Sequence, residues 1–386
     1  MRSKSDKKKP LVPSLRFPEF REAGAWEVQT IDQLASKIAQ GGTPKTSIPK
    51  YWNGDIPWIT PAEMGEDAAH HYAETTHRTI SREGFENSST ELLPVNSVII
   101  SSRAPIGYVT INKIEMATNQ GCKGIVPKKN TYHEFFYFSL IVAKQRLNDL
   151  GAGAGFKEIS TSTLKAFQIS IPKHIEQQKI AHCLSSLDEV IGLQAKKVQA
   201  LKQHKKGLMQ QLFPAEGETT PRLRFPDFRE AGAWEFIPLE AIAPLVNDRV
   251  QLKDISNVNY VSTENILQDF GGVAVANKLP TVNSVSSFQA GDVLLANIRP
   301  YLKKVWAANF SGGASNDVLV FRPRNSQGGQ YVAHILKNNR FINYVMAGAK
   351  GVKMPRGDIN SIKEYPVPIP PETTEQQKIA HCLSSL

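Results

Sequence analysis

Residues 15–27 read LRFPEFREAGAWE, and residues 223–235 read LRFPDFREAGAWE, with one substitution of glutamate by aspartate. A second segment, EQQKIAHCLSSL, stands at residues 176–187 and again at residues 375–386. Such repetition means that the chain carries one unit twice: a flank, an interior and the start of a helix. The fold is therefore expected to contain two copies of one domain.

The interiors between these repeated segments differ in sequence but keep a common order of landmarks. In each, an apolar run precedes an arginine, an Ala-Thr-Asn or Ala-Ser-Asn step follows, a glycine-rich turn comes next, and a strand-like segment ends in proline. The landmarks lie at 98–105, 117–119, 151–155 and 169–172, and at 293–300, 314–316, 348–351 and 367–370. Drift after a duplication is one explanation. Drift would also have blurred the flanks, which favours flanks with a shared structural role and interiors that serve different targets.

The composition is that of a basic globular protein. The chain has 386 residues, enough for two domains, with 41% hydrophobic residues, 21% charged residues and a net charge of +10. A positive balance favours a polyanionic partner, either nucleic acid or an anionic membrane surface. No apolar run approaches the roughly 18 residues of a membrane span, and no signal-peptide core follows the basic N-terminus. These features predict a cytoplasmic protein without a membrane partner.

The cysteines suggest neither a disulfide framework nor a metal site. Cys122, Cys183 and Cys382 lie far apart, and no Cys-x-x-Cys or Cys/His cluster accompanies them. Cys183 and Cys382 occupy matching positions in the repeated segment, where we expect small buried thiols, and no bound metal is expected.

The local pattern predicts an α+β fold in each interior. Runs rich in β-branched residues, bounded by Gly, Pro or Asn, predict strands at 97–101, 106–111, 122–126, 292–298 and 317–322. Thr131 and Glu134 have capping-box spacing, so a helix is expected to begin at Thr131 and to end at Gly151. Its counterpart in the second copy is expected over residues 329–347.

One long helix is predicted over residues 176–212. Its seam alternates steps of four and three, with Gln194 and Lys205 as interruptions, and consists of Ile180, Leu184, Leu187, Ile191, Val198, Leu201, Leu208 and Leu212. Such a helix is about 55 Å long, and a seam of that length needs a partner. The expected partner is the second copy packed antiparallel, which offers Ile379, Leu383 and Leu386. Most seam positions then lack a counterpart, which predicts either a truncated distal helix or a second protein in the groove.

No catalytic constellation is found in the sequence. The Asn-Pro-Pro-aromatic motif of adenine methyltransferases, a His-Glu-x-x-His zinc motif and the carboxylate spacing of many nucleases are all missing. The Gly-rich run 151–155 lacks the Lys-Ser/Thr of a phosphate-binding loop. We therefore predict no catalytic residue, no metal ligand and no cofactor bound by this chain, and expect the functional site to be a surface.

Several residues of the first copy have the chemistry that DNA recognition uses. Gly42, Thr43 and Lys45 would bring backbone amides and a cation to a phosphate, or form a plain turn. Arg103, at the end of an apolar strand, has the forked geometry that grips guanine, the alternative being an ion pair with an internal carboxylate. Asn119 and Gln120 would read adenine edges or cap local backbone.

The second copy offers an equivalent set. Arg299 and Asn316 correspond to the arginine and asparagine of the first copy, and Tyr301 and Lys303 follow Arg299 closely. The basic residues of the glycine turns are expected to meet phosphates, or to form a solvated charged face; they are Lys157, Lys350, Lys353 and Arg356.

These segments together resemble a known family. Residues 41–44 (GGTP), 51–59 (YWNGDIPWI), 103–107 (RAPIG) and 117–121 (ATNQG) look like a target-recognition domain. The repeated EQQKI is similar to the conserved helices of type I restriction–modification specificity subunits. The resemblance covers residues 12–386, and the combination of motifs is specific although single pieces are not.

The resemblance implies two target-recognition domains held apart by long antiparallel coiled-coil helices, each domain reading one part of a bipartite double-stranded DNA site. It also implies partners: two modification subunits, which carry the S-adenosylmethionine chemistry, and restriction subunits, which need ATP and Mg²⁺ for cleavage. Helix length would set the unread spacer, as dimer geometry sets half-site spacing.

On this interpretation the chain divides into six segments. They are 1–26 (tail and flank), 27–174 (first recognition domain), 175–213 (central helix), 214–235 (linker and repeated flank), 236–372 (second recognition domain) and 373–386 (start of a truncated distal helix).

Two other functions remain open from the sequence. One is a stand-alone DNA-binding or decoy protein that binds modification subunits without supporting restriction. The other is a protein-binding scaffold that uses the seam, in which the charge is irrelevant. DNA binding with a log–log salt slope near −0.9 per phosphate contact would argue against the scaffold.

Overall fold

A computed structural model describes residues 12–65, 71–151, 158–325 and 328–386. The chain divides into two compact units, Met1–Lys196 and Lys197–Leu386, which we call the first and second unit. Each combines helices with small sheets, so the predicted α+β class with a repeated unit is confirmed.

The described part of the first unit contains ten strands and five short α-helices, followed by a long helix that continues into the second unit. They are β1 (Glu27–Thr30), α1 (Ile31–Leu34), β2 (Ala35–Gln40), β3 (Trp52–Ile59), β4 (Tyr72–Ala73), β5 (Thr79–Ile80), α2 (Arg82–Glu86), β6 (Val98–Ser101), β7 (Val109–Asn112), β8 (Ala117–Thr118), β9 (Cys122–Pro127), α3 (His133–Val142), α4 (Lys144–Asp149), α5 (Thr161–Ala166), β10 (Gln168–Ile171) and α6 (His174–Leu212). Five strands form a sheet in the order β2-β9-β6-β7-β4, and three form a sheet in the order β5-β3-β8.

The second unit follows a similar plan. Its elements are β11 (Glu235–Pro238), α7 (Leu239–Ile242), β12 (Arg249–Gln251), β13 (Tyr260–Val261), β14 (Ser284–Phe288), β15 (Val293–Ala296), β16 (Val305–Ala307), β17 (Gly312–Ala314), β18 (Val318–Phe321), α8 (Gly329–Leu336), α9 (Asn339–Ala347), α10 (Ile359–Lys363), β19 (Pro366–Ile369) and α11 (Thr373–Ser384). Its larger sheets have the orders β12-β14-β17-β13 and β16-β15-β18.

The central strand of each unit is covered on both faces. Because successive side chains of a strand point to opposite faces, Val98 and Ile100 of β6 pack against α3 residues while Ile99 enters a separate cluster. In β15, Val293 and Leu295 pack towards α8, and Leu294 enters the cluster on the other face. Two-sided burial explains why both strands are continuous apolar runs in the sequence.

An antiparallel strand pair closes each unit next to the helix that follows it. In the first unit β1 pairs with β10, with Val28 opposite Ser170. In the second unit β11 pairs with β19, with Phe236 opposite Pro368. The strand after the flank is thereby joined to the strand that precedes the repeated EQQK segment.

The helix predicted to begin at Thr131 begins at His133 and is divided. The capping-box prediction is wrong, because the Thr131 hydroxyl donates to the Leu34 carbonyl at 3.1 Å and Glu134 accepts a hydrogen bond from Tyr72. The helix breaks at Ala143, where ψ is 0°, so α3 and α4 are separate. The counterpart over 329–347 is likewise divided into α8 and α9.

The long helix is observed as α6. Near its N-terminus Ala181 is buried in the first unit's core and Ile180 packs against that core, while Leu212 is buried in the core of the second unit and Leu208 packs there. The seam residues between these ends are largely exposed: Leu187 by 54%, Ile191 by 65% and Val198 by 50%.

Two of the predicted helix-pairing residues of the second copy lie in one buried cluster with the C-terminal end of the seam. Ile379 and Leu383 of α11 belong to the second unit's core, in the same buried cluster as Leu212 and the residues of α8, whereas Leu386 is 39% exposed. Among the described residues, a continuous helix pair along the whole seam is therefore not formed. The C-terminal end of α6 and the apolar residues of α11 instead help to form the core of the second unit.

Candidate nucleic-acid interface

The first candidate surface joins the loop after β2 to the loop after β8. A Cβ atom at Gly41 would lie 1.8 Å from the Asn119 carbonyl oxygen, so only glycine permits this approach. Next to it, the Thr43 hydroxyl donates a hydrogen bond to the side-chain oxygen of Gln120. Two segments far apart in sequence thus present neighbouring polar side chains.

The backbone amides of Gly41 and Gly42 donate hydrogen bonds within the fold. The Gly41 N–H donates to the Cys122 carbonyl at 3.3 Å, and the Gly42 N–H donates to the Thr118 carbonyl at 2.9 Å. Both glycines are buried and serve the packing of the two segments, which is the plain-turn alternative, and the DNA contact predicted for Gly42 stays a prediction. Lys45 is exposed and is the loop's available cation.

Arg103 follows β6 and is already engaged within the fold. Its Nε donates to Glu158 Oε2 at 3.0 Å, and its backbone N–H donates to the Gly121 carbonyl at 3.3 Å. Without DNA, Arg103 therefore forms the ion pair with a carboxylate that was the alternative to a guanine contact. Even so, 46% of its side chain is exposed. The guanidinium group is positioned by Glu158 at the surface.

Lys123 of β9 is a buried cation near Arg103 and Glu158 that the sequence did not reveal. It is 1% exposed, and this burial lowers the pKa of its ammonium group, although the nearby Glu158 acts in the opposite direction. Arg103, close by, also lowers that pKa. A lysine in the middle of a strand is indistinguishable by pattern from a solvent-facing one.

The amide side chains of the two units have local roles. Asn119 Oδ1 accepts the Gly121 N–H at 2.6 Å, which is the backbone-capping alternative. In the second unit Asn316 is exposed, and its Oδ1 accepts a hydrogen bond from Arg249 Nη1 at 3.4 Å. Arg249 was not predicted, since nothing in its local sequence marks it. Lys157 lies outside the described residues.

The second candidate surface begins at the end of β15. Arg299 has a left-handed φ of 53°, and its N–H donates to the Pro355 carbonyl at 2.8 Å. Its side chain is exposed, as is that of Tyr301, whereas Lys303 is half-buried with Nζ 3.9 Å from Asp269 Oδ1. The left-handed backbone at Arg299 therefore begins a short segment with two exposed side chains, the guanidinium group of Arg299 and the phenol of Tyr301.

A basic hairpin lies against this strand end. Lys350 and Arg356 exchange backbone hydrogen bonds of 2.9 Å in both directions. The Lys350 ammonium group donates to Asp358 at 2.9 Å, and this contact, with the Ser361 N–H, lowers the pKa of Asp358 to about 2. Arg356 Nη2 lies 3.1 Å from Asp317 Oδ1. Lys353, at the tip, is exposed.

Both units therefore bring the same three segments together: the arginine after the central strand, the asparagine step and the segment that follows the glycine turn. An isolated antiparallel β-bridge joins Arg103 to Glu158 in the first unit, and a corresponding bridge joins Ile298 to Arg356 in the second unit. The opposite charges of Glu158 and Arg356 give the two surfaces different electrostatics on a common backbone plan.

Other kinds of site find no support within the described ranges. No group of three or more His, Cys, Asp or Glu residues there could hold a metal ion. None of the helices there has both the length and the apolar character to cross a membrane.

Comparisons with known proteins agree with this arrangement. The family model for the type I restriction modification DNA specificity domain matches residues 24–203 and 233–386. The chain is 39% identical over 168 residues to the type I restriction enzyme MjaIX specificity subunit of Methanocaldococcus jannaschii, covering 43% of this chain and 38% of that protein. It is 30% identical over 178 residues to the EcoR124I/EcoR124II specificity subunit of Escherichia coli, covering 44% and 42%.

These two alignments thus span less than half the length of each relative. A crystal structure of the S subunit of a type I restriction-modification system from M. genitalium aligns with a TM-score of 0.61 and 15% identity, over 93% of this chain and 89% of that one. That likeness extends the shared fold to nearly the whole chain.

Proposed function

Because the chain belongs to the family of type I restriction-modification DNA specificity domains, we propose that it is the sequence-reading subunit of a type I restriction–modification complex. Each unit reads one half of a bipartite site in double-stranded DNA. Partner subunits carry out adenine methylation or ATP-dependent cleavage, and this chain supplies no catalytic group.

The observation that carries the proposal is the recurrence of one surface in both units. In each, an arginine after the central strand stands beside an asparagine step and a hairpin or turn. Arginine forks and amide side chains are the groups that read guanine and adenine edges in the major groove. Since the two surfaces differ in charge and side chains, they are suited to two different half-sequences.

The proposal includes the partners and their cofactors. Two modification subunits would bind S-adenosylmethionine, and restriction subunits would bind ATP and Mg²⁺. The exposed middle of α6, with Leu187, Ile191 and Val198, offers apolar area for a partner subunit. The complex would act in the cytoplasm, where the host DNA lies.

Methylome sequencing tests the proposal. The chain is expressed with its modification subunits in a host that lacks other adenine methylation, and modified adenines are mapped. We expect a two-part motif with a fixed gap. A stable complex that leaves the genome without such a motif would contradict the proposal.

A further inference from the structure

Arg78 is held in a specific position by two tryptophans. Its guanidinium carbon lies 3.8 Å from the ring centroid of Trp52 and 5.3 Å from that of Trp58. The two rings meet edge to face, with centroids 5.1 Å apart. Stacking on an aromatic face orients a guanidinium group and leaves its in-plane N–H donors free.

The stack is anchored in the fold. Trp58 is 2% exposed, and its Nε1 donates to the Gly42 carbonyl at 2.9 Å. Its backbone N–H donates to the Arg78 carbonyl at 3.1 Å, which fixes the arginine's backbone beside β3. Trp52 Nε1 donates to the Lys45 carbonyl at 3.4 Å. The stack therefore adjoins the loop that carries Thr43 and Lys45.

Arg78 differs from neighbouring cations of the first unit in having no carboxylate partner among the described ion pairs. Lys50 pairs with Glu83, Arg82 Nε lies 2.8 Å from Glu86 Oε1, and Lys113 Nζ lies 2.9 Å from Glu74 Oε1. An exposed arginine that is oriented by a ring and left without an anion is suited to an external anion or hydrogen-bond acceptor.

We propose that Arg78 is a DNA contact of the first unit and that Trp52 is its positioning residue. The inference rests on the proposed function and adds a residue to it. The guanidinium group can donate two parallel hydrogen bonds to a pair of acceptor atoms. DNA offers such a pair either in a phosphate group or at O6 and N7 of guanine.

The test uses the full chain assembled with its modification subunits. The wild-type methylation motif is determined first, and affinity is then measured by fluorescence anisotropy on a duplex that carries this motif, over a range of salt concentrations. Arg78→Ala is expected to weaken binding about tenfold or more. Arg82→Ala is the matched control, because Arg82 is equally exposed but paired, and it should stay within about twofold of wild type.

The salt dependence of binding and the methylation motif of Arg78→Ala together distinguish a phosphate contact from a guanine contact. A phosphate contact predicts an unchanged motif and a log–log salt slope shallower by about 0.9. A guanine contact predicts an unchanged salt slope and loss of discrimination at one position in one half of the motif. Either outcome supports the assignment of Arg78.

Trp52→Phe tests the positioning role. It should weaken binding in the wild-type background and have no further effect when combined with Arg78→Ala, since a residue that acts through Arg78 loses its influence with it. Equal effects in both backgrounds would show a merely structural role for Trp52.

The inference is overturned if Arg78→Ala binds within twofold of wild type and keeps the same motif. This differs from failure of the proposed function, in which the wild-type complex itself yields no motif and binds a scrambled duplex equally well. In that case neither the proposed function nor the DNA contact of Arg78 holds.

Discussion

Arg16 and Glu176, 160 residues apart, form a two-pronged ion pair in which Nε and Nη2 donate to the two carboxylate oxygens at 2.7 and 2.6 Å. Arg16 Nη1 also donates to the Gly24 carbonyl at 2.6 Å. Arg224 and Glu375 repeat the pair with two contacts of 2.8 Å. All of these residues lie in or beside the repeated segments, so the near-identity of the flanks has a structural reason: each flank is fastened to the start of the helix that follows its unit.

Breaking either pair is expected to destabilise its unit. Glu176→Gln and Glu375→Gln each leave a largely buried arginine facing an uncharged amide, and each should lower Tm by about 4 °C or more. Asp32→Asn is the control, because Asp32 and its partner Lys165 are both exposed and such pairs contribute little. Thermal unfolding followed by circular dichroism measures all three. Equal shifts for the buried and the exposed pair would contradict the role given to the flanks.

Gly41→Ala should destabilise the first unit. Its new Cβ would meet the Asn119 backbone, which cannot move like a flexible side chain, so a loss of about 2 kcal/mol or more in the free energy of unfolding is expected. Gly192→Ala is the matched control: an added Cβ on α6 meets nothing within 4 Å and should stabilise the helix by about 0.5–1 kcal/mol. Urea titration measures the free energy of unfolding and distinguishes the expected decrease from the expected increase. An unchanged free energy of unfolding in Gly41→Ala would argue against the close contact of Gly41 with Asn119.

The second unit should lose stability in mild acid through His334. Burial, together with Lys205 and Lys337, lowers the pKa of His334 to about 4, and its Nε2 lies 2.9 Å from Ser384 Oγ. A histidine whose pKa is lower in the folded state stabilises the fold fully above its unfolded pKa, near 6.5, and this contribution is lost as pH falls towards 4. The full loss is about 3 kcal/mol.

Urea unfolding at pH 7 and at pH 5 checks this prediction. His334→Gln should be less stable than wild type at pH 7 but should depend less on pH between 6.5 and 4. His204→Gln, at an exposed position on α6, should keep the wild-type pH dependence. If His334→Gln keeps that dependence as well, another group is responsible.

Lys353→Ala should weaken DNA binding without changing the sequence that is read. An exposed lysine at a hairpin tip meets phosphates as a point charge, so the log–log salt slope of the assembled complex should become shallower by about 0.9. Lys363→Ala provides the comparison, because the Lys363 ammonium group donates to Glu240 at 2.7 Å. A changed methylation motif in Lys353→Ala would instead assign this residue to base reading.

The repeats, the longer apolar strands at the centre of each unit and the long helix were predictable because each has a pattern visible in the sequence, whereas most of the short strands were not predicted. Continuous apolar runs such as 98–100 mark strands buried on both faces, and heptad spacing marks α6. The break of α3 from α4 was not predictable, since no glycine or proline stands near Ala143 to mark it. The capping residue was misassigned because the Thr131 hydroxyl is used by Leu34, which is far away in sequence.

Much of the candidate site depends on contacts between distant segments. The sequence singled out Arg103 but not Glu158 as its partner. It also could not show that the Gly42 amide donates to the carbonyl of Thr118, because Thr118 belongs to β8, far away in sequence. Arg78 carries no motif of its own, and only its position over Trp52 distinguishes it from other exposed arginines.

If each unit reads its own half of the site, methylome sequencing of two single variants should separate the two halves. Gln120→Ala alters the surface of the first unit, and Arg299→Ala alters that of the second, each expressed with the same modification subunits. One variant should relax positions only on one side of the gap and the other only on the opposite side, while the length of the gap stays the same. Changes on the same side, or on both sides with either variant, would contradict this division of the site between the two units.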